Sequence, residues 1–172
     1  MITEIISKSI SWTHILSATA SLFLGAWVLF IQKGGIRHRQ LGKLYFLAML
    51  INNLSALLIY NAFGRWFFPH MLALVTIAVL IPGFLITYKK QYKHWLKVHI
   101  ICMVLSYYFL VGGAINETFL HVKALRPLII GGDPVVGISH FIAQLIFLGL
   151  ITYFLIKFRR LGKYPESSKL AN

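Results

Sequence analysis

Seven histidines and four acidic residues are scattered through a chain of 172 residues, and one of the acids, Glu117, lies at the end of a long uncharged run. Imidazole nitrogen and carboxylate oxygen together bind zinc, copper, nickel or iron, and imidazole titrates near neutral pH, which suits it to proton relay. Between His94 and His121 the polar residues are not random. His99, Met103, Ser106, Leu110, Gly113 and Glu117 recur at spacings of three or four, so a helix presents them on one face. That face is predicted to look into protein, because an ionisable group in an apolar helix is costly without a partner. Glu117 and His121 are themselves four apart and share a face if the helix continues that far.

The elements that position these groups follow from composition. At 58% hydrophobic and 12% charged residues, the chain departs from soluble domains, where about a quarter of residues are charged. Five stretches, roughly 11–32, 42–63, 69–88, 96–118 and 138–157, are long enough to cross a hydrocarbon layer of about 30 Å. The expected fold is all-α: a polytopic membrane bundle of five transmembrane helices in a single domain, 1–160, with a polar tail at 161–172. Lys33, Arg37, Arg39 and Lys43, then Lys89, Lys90, Lys93 and Lys97, then Lys157, Arg159, Arg160, Lys163 and Lys169 fall on one side. Lys8, Arg65, Lys123 and Arg126 fall on the other. This asymmetry predicts an external N-terminus and a cytoplasmic C-terminus. The net charge of +13 is thereby assigned to membrane lipid rather than to nucleic acid. The first apolar stretch is read as a retained span, since it lacks a basic lead and is too long for a signal-peptide core.

Within these spans, Ser17, Ser21 and Gly25 form a small-residue ridge, with His14 on the same face. Asn52 and Asn53 are expected to bond a neighbouring helix. Pro82-Gly83 interrupts the third span and predicts a kink. Residues 119–137 are the longest external connection and would serve as a lid. Gln144 is placed one turn below His140 on its face. Lone Cys102, beside Met103, excludes a disulfide framework. Walker, GxGxxG, HExxH and CxxC patterns are absent from the sequence, which removes nucleotide hydrolysis, dinucleotide binding and zincin chemistry.

Topology sorts the histidines into tiers. His14, His70 and His140 lie within about a turn of the outer ends of spans one, three and five, with Glu117 ending span four and His121 just beyond. This set predicts an outward-facing transition-metal pocket for Zn or Cu. As a catalytic centre it would activate water on zinc, with Glu117 as ligand or general base. The inner tier supports a different chemistry: His99 and His38 pair as ligands of a b-type haem, with His14 and His70 or His140 holding another. Arg37, His38 and Arg39 would contact an anion or lipid headgroup on the cytoplasmic side. A third reading is a non-catalytic accessory subunit of a larger membrane complex, and small-residue ridges also permit a homo-oligomer.

His14, Lys33-Gly34, His38-Arg39-x-x-Gly42, Met49, a histidine opening the third span, and His94-Trp95 leading to Ser106-Tyr107 and Glu117 together resemble the membrane proteins grouped as domain of unknown function 2306. The resemblance runs from about 14 to 125. Members carry an arginine after the fourth-helix pattern, and Arg126 stands nearest that place. The resemblance implies a multi-pass protein of the bacterial cytoplasmic (inner) membrane and strengthens the histidines as site candidates. It implies no reaction.

Overall fold

The computed structural model describes residues 2–59, 68–88 and 94–159. Five long helices carry the chain: α1 (Ile2–Phe30), α2 (Ile36–Leu58), α3 (Phe68–Leu85), α4 (Trp95–His121) and, after the five-residue α5 (Arg126–Ile130), α6 (Pro134–Lys157). A 3₁₀ turn, Ile86–Tyr88, follows α3. All five long helices have the length and hydropathy to cross a membrane. The turn around Asn61–Trp66, the cations Lys89, Lys90 and Lys93 and the tail 161–172 lie outside the described residues.

The surface of these helices is that of a lipid-facing protein. Trp12, Phe23, Trp27, Phe141, Leu145 and Leu148 are exposed, while Ser17, Ser21, Asn52, Asn53, Ser55, His70, Thr76 and Ser106 are buried. Hydroxyls survive inside apolar helices by bonding back to a carbonyl of their own helix. Thr13 Oγ1 donates to Ser9 O at 2.9 Å, Thr76 Oγ1 to Leu72 O at 2.7 Å and Thr152 Oγ1 to Leu148 O at 2.9 Å.

Several boundaries differ from the sequence reading. The expected lead-in before residue 11 is helical from Ile2, because Lys8 and Glu4 pair at 3.0 Å across one turn and Ser9 and Ser11 bond back to Ile5 and Ser7. The first cationic loop shrinks to residues 31–35, with Arg37, His38 and Arg39 in the first turns of α2. Lys33 does not reach for lipid there. Its ammonium donates to Val28 O at 2.6 Å, Leu29 O at 2.7 Å and Ile31 O at 3.1 Å, covering carbonyls that the end of α1 leaves without amide partners. Gly34, at φ +83, makes the left-handed bend that a side chain would strain. The expected lid at 119–137 is divided by α5, and α6 starts early because Asp133 Oδ1 accepts from Val135 N at 2.8 Å with Pro134 in the first turn.

The described residues group into two compact units. The first holds 2–59, 68–78 and 109–117; the second holds 79–88, 94–108 and 118–159. Thus α3 and α4 each contribute to both.

Candidate functional site

In the first unit, α1 packs along α2. The predicted small-residue ridge is the contact surface: Ser17, Ser21 and Gly25 are buried, and Tyr45, Met49, Asn52, Asn53 and Ser55 are the buried residues of α2. His14 closes this seam. Its Nδ1 lies 3.1 Å from Asn52 O, and since a carbonyl only accepts, Nδ1 carries the proton and donates. Ser55 Oγ, 3.3 Å from the same Nδ1, donates to Asn52 O at 2.8 Å. One main-chain oxygen therefore gathers an imidazole and a hydroxyl, and in the tautomer that makes this bond the ring's lone pair is on Nε2.

Among the described residues, neither asparagine side chain bridges helices as expected. Asn53 Nδ2 donates within α2, to Met49 O at 2.7 Å. Asn52 Oδ1 is buried and has no hydrogen-bond partner among the described residues, as is Ser21 Oγ. Both atoms sit on the seam whose interhelical bond is made by main chain instead. The other first-unit candidates are His70, buried at 3% exposure in the first turn of α3, and Glu117, which is exposed. The inward face predicted for α4 holds through its middle, where Ser106 and Leu110 are buried, and fails at Glu117. His38 is half-buried, and Arg37 and Arg39 beside it are exposed.

In the second unit a second histidine repeats the donor pattern. His99 Nδ1 lies 2.8 Å from Gly83 O and donates to it, again leaving Nε2 as the basic nitrogen. The acceptor belongs to the last turn of α3, where the α-helical ladder gives way to the 3₁₀ turn and carbonyls need outside donors. Pro82-Gly83 is thus more than a break. A Cβ added at Gly83 would overlap Cys102 Cβ, so the missing side chain is what lets α4 approach close enough for His99 to reach.

His140 is half-buried on the stripe of α6 that buries Ala143, Phe147 and Phe154, six residues into the helix rather than at its mouth. Phe147 packs there edge-on against Tyr107 of α4, ring centroids 5.7 Å apart. Gln144, assigned to the same face, is exposed. Helix α4 does continue through His121, so Glu117 and His121 share one helix, both exposed.

Among the described residues, no three or more His, Cys, Asp or Glu side chains are grouped so as to hold a metal ion. What the structure supplies instead is two imidazoles, His14 and His99, each fixed in tautomer and ring plane by a main-chain carbonyl. Sequence reading named both histidines but neither acceptor, because a carbonyl has no letter in a sequence. Ser55 three residues after Asn52, and glycine directly after an intrahelical proline, were the available signals.

The family model described as predicted membrane protein (DUF2306) matches residues 11–151. The chain belongs to that family. No curated protein and no solved structure matches it. The DUF2306 match begins just before His14 and ends within α6, so it takes in both fixed histidines, His70, Glu117, His121 and His140. It establishes an integral, multi-pass membrane protein.

Proposed function

We propose that this membrane protein binds b-type haem, which His14 through its Nε2 and His70 of the same unit would hold. The observation that carries this reading is the Nδ1–H bond of His14 to Asn52 O at 3.1 Å. Metal-binding histidines characteristically donate their other ring N–H to a carbonyl or carboxylate, which fixes the ring and raises its basicity. A haem brings four nitrogens of its own and asks the protein for two imidazoles at most. It therefore needs no grouping of three protein donors. His99 carries the same pattern onto a second site, since its Nδ1 bond to Gly83 O leaves Nε2 in the same condition. A haem supplies one-electron chemistry, so this reading gives the protein a role in electron transfer within the membrane.

The test is an absorption spectrum of the full chain purified from haem-replete cells. A Soret band is expected, weakened by His14→Ala and by His70→Ala, with His99→Ala removing a separate fraction. A colourless wild-type protein ends this reading.

A Zn or Cu ion is the competing outcome of the same experiment, although no three His, Cys, Asp or Glu side chains among the described residues are grouped to hold one. Elemental analysis separates the two: stoichiometric Zn or Cu without a Soret band selects the ion, iron with a Soret band the haem.

A further inference from the structure

A cleft of about 280 Å³ opens in the second unit between the start of α4 and the end of α6, lined by Lys97, Thr152, Leu155, Ile156 and Arg159. Its lining divides by chemistry. Leu155 and Ile156 give it an apolar wall on a membrane-crossing helix, while Lys97 and Arg159, both exposed, stand at helix ends. Neither cation has an acidic or hydrogen-bonding side-chain partner among the described residues. The neighbouring Lys157 is engaged differently: its ammonium donates to Tyr153 Oη at 2.9 Å and lies 5.1 Å from that ring's centre. It is not part of the lining. Thr152 Oγ1 already donates to Leu148 O, which leaves its oxygen an acceptor only and gives the two cations the task of neutralising a ligand.

We propose that this cleft binds one anionic phospholipid, its phosphodiester held between Lys97 and Arg159 and the first part of its acyl chain laid against Leu155 and Ile156. The charge pattern selects an anion, and the apolar wall selects an amphiphile over a soluble phosphate. The start of α4 and the end of α6 lie on one membrane face by the order of the spans, so the two cations meet the same layer of headgroups. A cation near an anionic surface contributes about fivefold in binding, or roughly thirtyfold for two.

The experiment uses the full chain in micelles containing equal phosphatidylglycerol and phosphatidylcholine, with bound lipids counted by native mass spectrometry. Wild type is expected to retain one phosphatidylglycerol in preference to phosphatidylcholine. Lys97→Gln with Arg159→Gln should lower that preference roughly thirtyfold, and Lys123→Gln with Arg126→Gln, on the opposite face, should leave it unchanged. Thr152→Phe fills the cleft while keeping both charges, and carries the test if the double variant does not run as a single species on size exclusion. Excess inorganic phosphate should not displace the lipid. Equal retention of both lipids, an equal loss in the Lys123/Arg126 pair, unchanged retention on filling the cleft, or displacement by inorganic phosphate would each overturn the proposal.

Discussion

The seam between α1 and α2 and the crossing of α3 with α4 use the same bond in opposite circumstances. In the first, His14 donates to an oxygen in the body of α2 that also accepts from Ser55, over a surface already closed by Ser17, Ser21 and Gly25. In the second, His99 donates to Gly83 O at the end of a helix, over a surface that exists only because Gly83 has no side chain. One imidazole is added to a packed interface, whereas the other completes an interface that is otherwise unfinished. The comparison separates a histidine that adds a bond to an interface already closed from one that the interface needs in order to close.

Substitutions can break or sharpen this contrast. The largest effect is expected at Gly83. Gly83→Leu should prevent recovery of monodisperse protein in detergent, and Gly83→Ala should cost about 1–3 kcal/mol through overpacking against Cys102, read as a lowered midpoint in a thermal melt. An unchanged midpoint would remove the close approach from the account. Next, His99→Ala should destabilise by about 1–3 kcal/mol by stripping the donor from a helix-end carbonyl. His14→Ala should cost less, about 0.5–1.5 kcal/mol, because Ser55 still serves Asn52 O. If His14→Ala proves the more damaging in the same melt, the contrast is reversed. The smallest effect belongs to Ser21→Ala. Its hydroxyl is fully buried at 0% exposure without a hydrogen-bond partner among the described residues, so removing it should be neutral or stabilising by up to about 1 kcal/mol. A clear loss would mean that a water or ligand occupies the seam and uses that oxygen.

Much of the fold was legible because lipid imposes a simple rule. An apolar run of about twenty residues has to be a helix, and the spacing of Ser17, Ser21 and Gly25 marked its packed face. Helix ends were less legible. Residues 2–10 carry Glu4, Lys8 and several hydroxyls, which argue against a membrane core but not against a helix extending past it. Asp133 followed by Pro134 was a readable start signal that outranks the apolar onset at residue 138. The site was legible in part: residue types named His14 and His99, yet their partners are main-chain oxygens set by helix register. Asn52 and Asn53 misled for a related reason, since a side-chain amide can return to its own helix, as Asn53 does to Met49, as easily as cross to another.

Helix α1 has 29 residues and so measures about 43 Å, well beyond the hydrocarbon layer of about 30 Å. By the same rise per residue, α3, with 18 residues, measures about 27 Å. In a thicker bilayer the long span can meet the change by standing more upright, whereas α3, carried on by the 3₁₀ turn Ile86–Tyr88, already sits close to that thickness. Bilayer thickness thus acts on His14, twelve residues after Ile2 in α1, chiefly through the tilt of its helix.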